Sequence, residues 1–134
     1  MPMTTHERPL SPHLQIYKVE LPMLLSGLHR ITGIALSVGS ILLVAWISSA
    51  VYSAEAFASM NRFLGGYIGQ FVLFGWTFSL IYHSVSGVRH LIWDTGRLLE
   101  VKQIYSSSKI VLAIAIVLTL LAWILAGGFP GGGA

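Results

Sequence analysis

Residues 31–54 read ITGIALSVGSILLVAWISSAVYSA, an uncharged run that ends at Glu55. Two more runs match it: Phe63 to Val88, between Arg62 and Arg89, and Ile110 to Pro130, after Lys109. Each is at least as long as the ~20 apolar residues that carry a helix across a ~30 Å hydrocarbon core. Lipid offers no partner for backbone N–H and C=O groups, so an apolar run of this length spans as a helix. Residues 54–56 (A-E-A) resemble a signal-peptidase site. The run before them is too long for a signal peptide's apolar region of about 7–15 residues, so it is read as a retained helix.

The composition agrees. Of the 134 residues, 54% are hydrophobic and 10% charged, where soluble domains carry about a quarter charged residues. Mean hydropathy is +0.75. The chain is predicted to be an all-α integral membrane protein. Residues 1–21 form an N-terminal arm, 22–130 a three-helix transmembrane domain (helices about 22–52, 62–93 and 106–129), and 131–134 a Gly-rich tail. There are no cysteines, which excludes disulfides and iron–sulfur clusters held by this chain. A net charge of +3 is too small to argue for nucleic acid.

The basic residues set an orientation. Arg8, Lys18 and Arg30 precede or open the first helix, and Arg89, Arg97, Lys102 and Lys109 cluster at the second loop. The positive-inside rule puts both regions on the cytoplasmic or matrix side and the C-terminus outside. Trp93 and Tyr105 suit the inner interface, Tyr52 and Tyr67 the outer. RPLSPHLQIYKVELP, 8–22, carries three prolines and no helical period, and reads as an extended arm. A helix starting at Pro22 would run ~46 Å, with Ser26, His29 and Arg30 in its interfacial first turns.

Chemistry concentrates in YHSVSGVRHLIWD, 82–94. An ionisable group inside a membrane helix is costly and marks a functional candidate. The plain alternative for His83 is a neutral ring hydrogen-bonded to a neighbouring helix. Ser79, His83 and Gly87 lie four apart on one face. Ser86 and His90 continue that broad face, with Arg89 beside it. A b-type haem accounts for the set: His83 as an axial iron ligand, with Arg89, His90, His29 and Arg30 where the anionic propionates end. His90 sits ~10 Å along the same helix and cannot oppose His83. His29 is expected to be too shallow. His6 and His13 lie in the arm. If the haem has two imidazole ligands, another polypeptide must supply one, and this chain is read as half of a heterodimeric helix bundle.

In SGLHRITG, 26–33, Ser26 and Arg30 are i and i+4. They suit a quinone pocket, with Ser26 donating to a carbonyl and Arg30 stabilising the reduced anion. The plain alternative is that His29 and Arg30 snorkel to headgroups. Asp94, four after His90, reads as a helix-end pairing. Trp46, Trp76 and Trp123 read as packing or lipid-facing groups. Gly65 and Gly69 form a G-x-x-x-G step that hints at close packing.

RPLSPHLQIY (8–17), LPMLLSGLHRITGIALS (21–37) and YHSVSGVRHLIWDTG (82–96), in that order, resemble the cytochrome b-type membrane-anchor subunit of succinate dehydrogenase, respiratory complex II. The likeness covers essentially the whole chain. It implies a bacterial or mitochondrial inner-membrane protein assembled with a second membrane-anchor subunit, an iron–sulfur subunit and a flavoprotein. FAD and iron–sulfur clusters would reside only in those partners. Electrons would pass from succinate to ubiquinone. It further implies that His83 is an axial ligand of haem b shared with the other membrane subunit, that Ser26 and Arg30 line the ubiquinone site, and that His29, Arg89 and His90 lie near the propionates. The first loop, 53–62, carries no motif. A structural anchor without haem and a small proton-conducting subunit are the alternatives.

Overall fold

The computed structural model describes residues 17–127. The arm's RPLSPHLQI and the tail's GFPGGGA lie outside the described residues. Four helices follow in order: α1 (Leu21–Tyr52), α2 (Ala54–Gly65), α3 (Tyr67–Asp94) and α4 (Val101–Leu125). Three of them, α1, α3 and α4, are long and apolar enough to cross a membrane. The spans thus match the three expected, but their edges differ.

α1 begins at Leu21, so Pro22 occupies its first turn, where a missing N–H costs nothing. The second span was expected to start at 62. Instead, the chain first forms a separate short helix. Ser53 caps α2, its hydroxyl accepting from the Ala56 N–H at 3.1 Å, and extended backbone at Gly66 separates α2 from α3. The loop that seemed featureless is therefore an amphipathic helix. Its partly buried Phe57, Met60 and Leu64 share one face, as the i, i+3, i+7 pattern requires. That helix is tied to α1 through Trp46, whose indole N–H donates to Asn61 Oδ1 at 2.8 Å and whose ring meets Phe57 at 5.7 Å. Tyr52 and Tyr67, 86% and 83% exposed, flank it.

α4 begins at 101, five residues ahead of expectation, because Glu100 and Gln103 form a reciprocal capping box. Such a box satisfies orphan N–H groups at a helix start. α3 ends at Asp94 with Thr95 as its C-cap, and Gly96 follows with φ +78°, the left-handed conformation that commonly closes a helix.

α3 is central, touching α1, α2 and α4, and α1 also meets α4. Leu25, Tyr82, Val111 and Ala115 form the buried core, with Leu28, Phe78 and Val85 against it. Small residues dominate the remaining buried positions: Thr32, Ser79, Ser86, Ser108 and Thr119. Lipid tails are as apolar as leucine, so small residues that allow close contact drive membrane helices together. Exposed Ile31, Ile34, Val38 and Ile41 on α1, and Phe71, Leu80 and Val88 on α3, form the outer face that meets lipid or other helices. Trp76 and Trp123 pack inside. Trp76 covers Gly39, and Trp123 meets Phe74 edge-on at 5.3 Å.

A Cβ built on Gly39 would land on the Trp76 indole, whereas one on Gly75 meets nothing within 4 Å. Gly39→Ala should destabilise by ~1–3 kcal/mol, the usual cost of overpacking. Gly75→Ala should be neutral or slightly stabilising. Thermal unfolding of the detergent-solubilised protein, followed by circular dichroism, distinguishes the two.

Candidate functional site

The site grows from two adjacent residues on α3. Tyr82 and His83 both turn toward α1. The Tyr82 hydroxyl donates to the Leu25 carbonyl at 2.7 Å, fully buried. His83 Nδ1 lies 3.1 Å from the His29 carbonyl and 3.2 Å from Thr32 Oγ1. Leu25 and His29 are one helical turn apart, so the two rings clamp consecutive turns of α1. Thr32 lies eleven residues from the start of α1 and His83 eleven from the end of α3, ~16 Å along each axis. Gly33 makes the approach possible: a Cβ there would sit 3.1 Å from His83 Cε1.

These contacts decide which nitrogen of His83 carries the proton. A carbonyl oxygen only accepts, so Nδ1 must donate to it. In a neutral imidazole the other nitrogen is then an unprotonated acceptor. Nε2 makes no hydrogen bond among the described residues, and it is not among the buried unpaired atoms. A lone pair therefore opens at the edge of the bundle, deep within the span.

His29 stacks on His83, with ring centroids 3.9 Å apart and planes 10° off parallel. The expectation that His29 would be too shallow to meet His83 is corrected here. The ring contact itself puts His29 level with His83. Two ligands on opposite sides of one metal point their nitrogens at each other, whereas these rings lie face to face. His90 joins the stack 5.2 Å from His29, its Nδ1 donating to the Ser86 carbonyl at 2.8 Å. Trp93 meets His90 edge-on at 5.0 Å. The Arg89 guanidinium lies over Trp93 at 4.6 Å and donates through Nη1 to Ser108 Oγ on α4 at 2.8 Å. A continuous file thus runs from His83 through His29, His90 and Trp93 to Arg89.

Three polar atoms in this file are buried without a partner: His29 Nδ1, Arg89 Nε and Trp93 Nε1. Burying an unsatisfied polar group is costly, and such clusters call for an explanation. Ser26 and Arg30 stand apart from the file. Both are exposed on α1, and neither makes a side-chain hydrogen bond among the described residues. Asp94 ends α3, exposed. No group of three or more His, Asp or Glu residues able to hold a bare metal ion occurs among the described residues. A cavity of about 360 Å³ lies at the other end of the bundle, beneath α2, lined by Leu42, Trp46, Asn61, Leu73 and Trp76. It is remote from the histidines.

The chain matches the family model described as succinate dehydrogenase/fumarate reductase transmembrane subunit over residues 4–122. It belongs to that family. The succinate dehydrogenase cytochrome b556 subunit of Paracoccus denitrificans is 41% identical over 118 residues, 88% of this chain and 91% of the relative. The cytochrome b560 subunit of Reclinomonas americana is 40% identical over 88% of this chain and 85% of its own length. The mouse mitochondrial b560 subunit is 42% identical over 84% of this chain and 68% of its own length. A membrane subunit of complex II is thus the setting in which the histidine file is to be understood.

Thr32, Tyr82 and Ser108 were not singled out from sequence. Thr32 follows Leu25 and His29 at helical spacing, and that stripe was the available signal. Ser108 had none, because its role depends on how α4 packs against α3. Removing its hydroxyl leaves a buried guanidinium N–H unpaired. Ser108→Ala should cost ~1.5–3 kcal/mol, the range for a hydrogen bond to a charged group. The expected result is a lowered thermal midpoint of the purified complex.

Proposed function

We propose that this subunit holds haem b together with a second membrane subunit and helps form the site where ubiquinone is reduced with electrons from succinate. The observation that carries this reading is His83: Nδ1 is committed to the His29 carbonyl, and Nε2 is free at the edge of the bundle. A metal-binding histidine characteristically donates its other N–H to a carbonyl or carboxylate, which fixes the tautomer and raises ligand basicity. The cytochrome b names of the relatives point the same way.

The remaining residues fit a haem. Its carboxylates need cationic and hydrogen-bonding partners. His29, Arg89 and His90 stand along one file toward the inner helix ends, with unpaired atoms at His29 Nδ1 and Arg89 Nε. When bound, the haem supplies a one-electron carrier. His83 would hold it through Nε2 and orient it by the tie to α1. The His29 and His90 rings would wall one side and exclude water. Neither His29 nor His90 faces His83 edge to edge, so a second imidazole ligand would come from the second membrane subunit.

Ser26 and Arg30 would meet the quinone. They share one side of α1 and are unspent within this chain. The Ser26 hydroxyl can donate to a carbonyl oxygen, and the Arg30 guanidinium can stabilise negative charge that develops on reduction. Lying near the inner interface, both reach water for proton exchange. Succinate oxidation would fall to a flavoprotein and an iron–sulfur subunit docked on that inner face. The basic residues of the second loop support an N-terminus on the cytoplasmic or matrix side of a bacterial or mitochondrial inner membrane.

In the assembled complex, His83→Ala should abolish or alter the low-spin haem spectrum; an unchanged spectrum contradicts the ligand assignment. Ser26→Ala and Arg30→Ala should each lower quinone reduction by ten-fold or more, the scale of a lost stabilising donor. Succinate oxidation with an artificial acceptor should persist. Unimpaired quinone reduction in both variants would remove them from the site.

A further inference from the structure

We propose that Thr32 is a positioning residue that sets the orientation and donor strength of His83 toward the haem iron. The inference rests on the proposed ligation by His83 and assigns a role to a residue outside it. Thr32 is 3% exposed. Its Oγ1 donates to the His29 carbonyl at 2.9 Å and lies 3.2 Å from His83 Nδ1. A threonine hydroxyl has one hydrogen and two lone pairs. The hydrogen is used at His29, so the lone pairs are what face Nδ1. The Nδ1–H is therefore shared between two oxygens, the His29 carbonyl and Thr32 Oγ1.

A backbone carbonyl cannot be removed by substitution, but a hydroxyl can. Two acceptors on Nδ1–H pull the proton further from the ring than one does. The ring becomes a stronger donor at Nε2, which favours the ferric over the ferrous iron and lowers the reduction potential. Thr32 also holds the ring plane. Without the hydroxyl, the His29 carbonyl is the one acceptor left to orient the imidazole. Neighbours that orient a metal ligand typically change affinity by about 10–100-fold when lost.

The test uses the assembled complex carrying Thr32→Val, which keeps the branched shape and removes the hydroxyl, and Thr32→Ser, which keeps the hydroxyl. Redox titration of the haem optical band should show a more positive midpoint in Thr32→Val. Its haem should also be lost at least ten-fold more readily to apomyoglobin. Thr32→Ser should restore both values. A helix-packing role alone would lower thermal stability without moving the potential. A wild-type potential and retention in Thr32→Val, or equal shifts in both variants, would overturn the proposal. Should Thr32→Val assemble without haem, haem content in Thr32→Ser against Thr32→Ala decides. Retention only in the serine variant supports the role, and loss in both overturns it. Failure of the ligand assignment itself is seen separately, as an unchanged spectrum in His83→Ala.

Discussion

Inside a bilayer a polar atom has no water to fall back on, so each one must be answered by the protein or by something the protein holds. That constraint shapes α1 and α3. Tyr82 and His83 stand next to each other in the middle of α3, and both would be costly facing lipid. Both turn to α1 and reach carbonyls one turn apart, those of Leu25 and His29. The pairing aligns the two helices in depth and leaves one atom of the pair unspent, His83 Nε2. The structural tie and the chemical opportunity are the same hydrogen bond.

From that bond the rest of the inner half follows. His29 lies flat on His83 because the carbonyl that accepts from Nδ1 is its own. His90 and Trp93 extend the file, and Arg89 ends it by crossing to Ser108 on α4. The outer half is built differently. Trp76 covers Gly39, and Trp46 fastens α2 across the bundle's end. One end thus gathers most of the unpaired buried polar atoms found among the described residues, while the other, where Trp76 Nε1 is also unpaired, is closed by indoles and small residues.

The three spans and their approximate edges were legible because long uncharged runs have few other fates. His83 and the residues around it were legible because ionisable groups are rare at that depth. What stayed hidden depended on contacts between helices. The Glu100–Gln103 capping box lies in a stretch that reads as loop, and it starts α4 early. The Ser53 cap starts α2 in a stretch that reads as loop, and the Gly66 break delays α3 to Tyr67. The level of His29 against His83 was misjudged because hydropathy does not fix how far one helix is shifted along its neighbour, and the ring contact does. Thr32 was invisible as a partner, since its role appears only when α3 lies against it.

The central claim is that this chain contributes one nitrogen, His83 Nε2, to an iron whose other axial ligand lies on a different polypeptide. An experimental density map of the assembled, haem-loaded membrane complex tests it most directly. The account predicts iron at coordination distance from His83 Nε2, Nδ1 still bonded to the His29 carbonyl, and the opposite nitrogen supplied by the second membrane subunit. Iron bound by His29 or His90, or by two histidines of this chain, would contradict it.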